Sequence, residues 1–127
     1  ELLRSCDIVS LHVALTPSTR HLIGAAELAR MRSDAVLINT SRGAVVDQAA
    51  LRSALASGQI WGAGLDVLDP EPPAGDEALL GLDNVVLTPH NGGQSEAVWP
   101  RIVRTCFENI ERVARGEPPR FIARPLT

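Results

Sequence analysis

Four short apolar runs, at residues 8–13, 35–39, 60–66 and 84–88, constrain this chain more than any other feature. Each gives way to a polar or Gly/Pro-rich segment, the pattern of strands buried on both faces. Between them the apolar spacing changes. Leu51 and Leu55 sit four apart after Asp47, which suits a helix N-cap, and Gly58 fits just past the end. Leu28 and Met31 mark a shorter helix after Gly24. Strands alternating with helices predict βαβ units, a parallel sheet and right-handed crossovers, an α/β fold. From about residue 95 to 115, Val98, Ile102, Cys106, Ile110 and Val113 form the stripe of a long closing helix, which Pro100 should start or bend.

Residues 1–6 resemble the last turns of a helix leading straight into a strand. Four parallel strands with so abrupt a start read as the second half of a doubly wound sheet, with one strand edge open to an upstream portion. Residues 1–116 are assigned to that half, and residues 117–127, with three prolines, to an extended tail. The Pro-rich stretch 69–75 lies between two strands of one sheet and reads as a loop, not a linker.

Charge narrows the partners. Twelve basic and 15 acidic residues give a formal charge of -3 and are interspersed, so no block attracts phosphate backbones or anionic lipid. Neither nucleic acid nor a membrane is an expected partner. No run approaches the ~20 apolar residues of a spanning helix, and the first residues do not resemble a signal peptide, so a cytoplasmic protein is expected. Four aromatic residues and no tyrosine leave no platform for stacking single-stranded bases. Cys6 and Cys106 lie far apart, without a C-x-x-C or a histidine cluster, so neither a disulfide nor a metal site is expected. Both read as buried small residues, and Trp61 and Trp99 as packing residues.

In an open α/β sheet, ligands bind beyond the carboxyl ends of the strands. After the first run come His12 and ALTPST; after the second, Asn39-Thr40-Ser41-Arg42-Gly43; after the third, Asp66 and Asp69-Pro70-Glu71-Pro72; after the fourth, Pro89-His90-Asn91-Gly92-Gly93. One rim would therefore hold an arginine, carboxylates, a histidine and several glycines, enough for anion binding and proton transfer. Arg42 offers a planar, permanently charged fork for a carboxylate. His90 is a candidate proton donor and acceptor at a carbonyl or hydroxyl, and Glu71 a carboxylate that holds its tautomer. Gly92 and Gly93 would let the backbone approach a planar ligand, and Gly43 would relieve the turn after Arg42.

Plainer roles stand beside these. Arg42 alone would pass for a solvated residue, and Asp66 or Glu71 for turn caps. His12 reads equally as a core histidine bonded to backbone carbonyls. His21 reads as surface, Asp76 and Glu77 as a solvated turn, and the charges of the last helix as its solvated face.

The segments LHVALTPSTRHLIG, VLINTSRGAVVDQAAL, GQIWGAGLDVLDPEPP and NVVLTPHNGG resemble consecutive signature blocks of the D-isomer-specific 2-hydroxyacid dehydrogenases, from about residue 11 to 93. Four ordered blocks are far more specific than one motif. The resemblance implies a Rossmann-type domain binding NAD or NADP, acting on a small 2-oxo or 2-hydroxy acid, in a homodimer of longer chains. Arg42 matches the family's catalytic arginine, Glu71 its glutamate and His90 its histidine. In that family the arginine orients the oxo acid, the histidine protonates the carbonyl oxygen and the glutamate tunes the histidine. Val13, Thr40, Ser41, Arg42, Asp66, His90, Gly92 and Gly93 fall where the family touches cofactor.

The sequence departs from the pattern at Ala14, commonly proline, at Asn91, commonly aliphatic, and at Gln94-Ser95, commonly Ser-Thr. None removes a catalytic group. No G-x-G-x-x-G occurs, so activity is expected only with an upstream portion present, and this chain alone is expected to be inactive. Two rivals remain at this level: a dinucleotide sensor like the corepressors that resemble this family, and a truncated remnant without function.

Overall fold

The computed structural model describes residues 1–75 and 77–122, in two compact units, residues 1–92 and 93–127. The first contains α1 (Leu2–Ser5), β1 (Ile8–Leu11), α2 (Ala25–Leu28), β2 (Val36–Asn39), α3 (Gln48–Ala56), β3 (Gly62–Leu65) and β4 (Val85–Leu87), with 3-10 turns at Gly43–Val45 and Ala78–Gly81. All four strands pair in parallel, in the order β1-β2-β3-β4. The expected α/β half-sheet is present, its strands shorter at the ends by one or two residues.

The capping signals around α3 act as expected. The Asp47 carboxylate accepts from Ala50 N–H at 3.1 Å, a bond worth about 1 kcal/mol, and Gly58 takes a φ of 68° just past the helix end. Leu51 and Leu55 are buried, and with Leu28, Leu37, Ile60 and Leu65 they belong to an aliphatic core between the sheet and α2 and α3. Ile23 exchanges backbone bonds with Val45 and Asp47, which fastens the long β1–α2 connection to the start of α3.

One expectation is corrected. The strands are not buried on both faces within this unit: Val9, Leu11, Leu37 and Leu65 are buried, whereas Ile8 is 64% and Val86 70% exposed, with Val36 and Ile38 half-buried. The strand order explains this. Crossovers of one hand that advance in one direction must lay their helices on the same face.

The second unit contains α4 (Val98–Ala114). Pro100 falls in its first turn, where a missing N–H breaks no helical bond, so the helix starts before the proline. No residue of α4 is buried, and the stripe of Ile102, Ile110 and Val113 is exposed. Asn109 and Arg120 exchange two hydrogen bonds, which draw residues 117–122 back beside the helix. The remainder of the expected tail lies outside the described residues. Cys106 is exposed and Cys6 half-buried against the core edge, so neither is the buried residue expected. Trp61, preceding β3, and Trp99, in the first turn of α4, are likewise largely exposed.

Candidate active site

Leu11, Asn39, Leu65 and Leu87 are register partners across the sheet, so His12, Thr40, Asp66 and Thr88 come next at its carboxyl edge. Asp66 organises the far side of this rim. It is only 6% exposed; its Oδ1 accepts from the Thr88 hydroxyl and from Asn91 N–H at 3.0 Å, and its Oδ2 from Gly92 N–H at 2.9 Å. The Thr88 bond above all, aided by the two N–H groups, holds the Asp66 carboxyl below the usual range against its desolvation. The turn bent around this carboxylate carries His90, whose φ of 52° is rare for a residue with a side chain.

His90 Nδ1 lies 2.7 Å from Glu71 Oε2. Glu71 Oε1 accepts from Leu68 N–H at 2.9 Å. The His90 bond first, then the Leu68 N–H, hold the Glu71 carboxyl below its ordinary value, and the Arg42 charge adds to this. A carboxylate only accepts, so Nδ1 carries the hydrogen and Nε2 is the nitrogen left to exchange a proton. A cleft of about 390 Å³ opens beside the pair, lined by Asp66, Glu71 and His90 together with Leu68, Leu80 and Leu87.

The near side is built around Asn39, 1% exposed at the end of β2. Its Oδ1 accepts from the Ser41 N–H at 3.0 Å and hydroxyl at 2.8 Å, and its Nδ2 donates to Arg42 O at 3.0 Å. Arg42 is thereby left exposed on a fixed backbone, with its Nη1 donating to Ser41 O at 2.6 Å. The structure gives it a Coulombic influence on Glu71 and no direct bond to Glu71 or His90.

Gly43 has a reason other than the one expected, and Gly92 has one beside it. Gly43 is not in the left-handed region, so it does not relieve a turn. A Cβ there would fall 2.0 Å from Leu68 O, because the arginine loop and the glutamate loop meet backbone to backbone. At Gly92 a Cβ would lie 2.9 Å from Asp66 Oδ2, so its missing side chain makes room for that carboxylate.

Val13 and Thr40 are exposed beyond β1 and β2, and Ser41 is half-buried against Asn39. Gly93 belongs to the second unit, with open space where a Cβ would stand. His12 is exposed and paired with Ser10 Oγ at 2.8 Å, so it is not a core histidine. His21 is at the surface, as expected. Asn91 contributes its backbone to Asp66.

Sequence reasoning missed Asn39, Gln48 and Glu77. Asn39 was legible, since Asn two residues before Ser is a common side-chain turn. Glu77 is not part of a solvated turn: its side chain is 13% exposed and bonded to Leu79 N–H and to Gln48, while Asp76 lies outside the described residues. No local signal connects Gln48 with residues 21 and 29 positions away.

A parallel sheet with a paired histidine and carboxylate and a displayed arginine on its carboxyl rim defines a ligand-binding α/β unit of the dinucleotide-binding kind. Comparison with known proteins agrees. Residues 1–92 match the family described as "D-isomer specific 2-hydroxyacid dehydrogenase, NAD binding domain", and the chain belongs to that family. It is 50% identical over 123 residues to the glyoxylate reductase of Korarchaeum cryptofilum, covering 96% of this chain and 37% of that relative. Among solved structures it is similar to a D-isomer specific 2-hydroxyacid dehydrogenase from Lactobacillus delbrueckii ssp. bulgaricus in its NAD-complexed form, with a TM-score of 0.85 and 38% identity, covering 96% of this chain and 41% of that one. It is also similar to such an enzyme from Xanthobacter autotrophicus Py2 in complex with NADPH and MES, with a TM-score of 0.81 and 41% identity, covering 97% of this chain and 50% of that one. The chain therefore spans half or less of each of these proteins. NAD or NADP is the cofactor class of the family and its solved members, as expected from the sequence. Among the described residues no helix is long and apolar enough to cross a membrane, and no group of three or more metal-ligating side chains is assembled.

Proposed function

We propose that this chain supplies the acid–base half of the active site of an NAD- or NADP-dependent dehydrogenase that interconverts a 2-hydroxy acid and its 2-oxo acid. The observation that carries the reading is the 2.7 Å contact of His90 Nδ1 with Glu71 Oε2 on the rim of a domain of this family. The chemistry of the rim fits a nicotinamide riboside: Val13 offers an apolar contact and Thr40 a hydroxyl, and the Asp66-bound turn brings backbone close to the same edge. When bound, the cofactor delivers or accepts the hydride at the substrate's second carbon. Arg42 grips the substrate carboxylate, which its exposed guanidinium suits. In reduction His90 donates the Nε2 proton to the carbonyl oxygen; in oxidation the same nitrogen takes it back from the hydroxyl. Glu71 keeps the hydrogen on Nδ1 and fixes the ring. A homodimer belongs to the same proposal.

The test uses the protein as its gene encodes it, assayed for NADH and NADPH oxidation with glyoxylate and other 2-oxo acids. His90→Ala lowers kcat by about 10²–10⁴ and leaves cofactor affinity nearly unchanged. Arg42→Lys acts mainly on the KM for the oxo acid, since an ammonium lacks the planar fork. Near-parental rates in both variants would falsify the assignment. Tight cofactor binding without turnover of any oxo acid would favour a dinucleotide-sensing protein.

A further inference from the structure

We propose that Gln48 is a positioning residue for the Glu71–His90 pair, because its single amide staples together both ends of the loop that carries Glu71. The proposal rests on the reading of that pair as the acid–base site. Glu71 lies in a segment poor in backbone pairing, since Pro70, Pro72 and Pro73 have no N–H to donate and the bond within it runs from Glu77 N–H to Ala74 O at 3.0 Å. Further fixation must come from outside. Gln48, the first residue of α3, provides it: Oε1 accepts from Asp69 N–H at 2.9 Å, and Nε2 donates to Glu77 Oε2 at 2.8 Å. Asp69 precedes Glu71 by two residues and Glu77 follows it by six.

The partners dictate which end of the amide faces which. A backbone N–H requires an acceptor and a carboxylate requires a donor, so only a side chain with one of each, at this length, serves both. Both attachment points make further contacts. Glu77 Oε1 accepts from Leu79 N–H at 3.1 Å and lies 3.9 Å from Arg52 Nη1. Asp69 pairs with Arg20 at 3.5 Å, and its neighbour Leu68 abuts Gly43. Leu68 also supplies the N–H that holds Glu71 Oε1, so the Gln48 bond acts one residue away from the group that aims the glutamate. Gln48 hydrogen-bonds to neither Glu71 nor His90; it sets where the carboxylate stands.

The chemistry of the staple supplies its own control. Gln48→Glu sets a second carboxylate against Glu77 and breaks one arm. The pair Gln48→Glu with Glu77→Gln reverses the donor and acceptor and restores both arms, with Leu79 N–H still satisfied by the amide oxygen at 77. In the protein as its gene encodes it, Gln48→Glu at pH 8 lowers kcat about tenfold, with the KM for cofactor changed by less than about twofold. The ¹⁵N resonance of His90 Nδ1 moves toward its position in Glu71→Gln. The double variant recovers kcat to within about threefold of the parent and returns the resonance. The His90 resonance, read on folded protein, separates this outcome from a general loss of stability, which would lower the folded fraction without moving it. If Glu71→Gln lowers kcat but Gln48→Glu does not, or if the double variant fails to recover, Gln48 is not a positioning residue. If Glu71→Gln itself leaves kcat unchanged, the acid–base reading fails and this proposal falls with it.

Discussion

The turn at residues 39–43 is held by a neutral amide reaching two and three residues along its own chain, whereas the turn at residues 88–92 closes on a carboxylate 22 to 26 residues away. Both anchors, Asn39 and Asp66, stand at the carboxyl end of a strand, and both are buried while the residue they display is exposed. The side-chain bonds that hold the first turn all lie within residues 39–42. The second exists only after β3 and β4 have paired, and it adds a buried charge that its hydrogen bonds must compensate. The difference separates what each turn needs: the arginine turn needs local sequence, and the histidine turn needs the assembled sheet.

Gly43 offers the sharpest way to break this contrast, because it is where the self-contained turn leans on a distant backbone. Gly43→Ala should cost about 3 kcal/mol, the upper end of the usual range for overpacking, because the obstructing atoms are a main-chain carbonyl rather than a yielding side chain. Urea unfolding would measure it; a cost near zero would show that the two loops separate freely. Asp66→Asn comes next. It puts an NH₂ where carboxylate oxygen now accepts N–H or O–H groups, at about 2 kcal/mol. Asn39→Ala should cost less, about 1 kcal/mol, because exposed neighbours and half-buried Ser41 can turn to water. If Asn39→Ala proved the costlier of the two, the division into local and assembled turns would be wrong.

Acid supplies the finest comparison. The Asp66 carboxyl is depressed in the folded protein, so its contribution is fully present above the ordinary aspartate value of about 4 and is lost as pH falls through the folded value. The stability gap between the parent and Asp66→Asn should therefore shrink between neutral pH and pH ~3. The gap between the parent and Asn39→Ala should stay constant, since no ionisable group is changed. Glu71, also depressed, titrates in all three proteins and cancels from the differences.

The same division decides what the sequence revealed. The alternation of apolar runs with the Asp47–Gly58 helix predicted the parallel sheet and its carboxyl rim, because strand and helix patterns are local. The block resemblance assigned roles to Arg42, Glu71 and His90, and the structure brings Glu71 and His90 into contact. It did not reveal why Gly43 and Gly92 lack side chains, since the atoms excluding a Cβ belong to Leu68 and Asp66, 25 and 26 residues away along the chain. Nor did it reveal the Gln48 bridge, which depends on where a proline-rich loop lands. The exposed Ile8, Val86 and α4 stripe misled in a related way, because an apolar pattern says a face is to be covered without saying by what.

The two-armed hold on residues 69 and 77 also sorts the chain by tolerance to changes of length. Between those attachment points the loop is a ring already closed, and lengthening a closed loop costs only about 0.6 kcal/mol per doubling. Extra residues placed beside Gly75, where an added Cβ would meet nothing within 4 Å, would only enlarge the ring and leave Glu71 where it is. A single residue added between Gly43 and Gln48 would move the fastening itself. Relatives that differ in length at this rim, and peptides grafted into it, should therefore sort by position rather than by size.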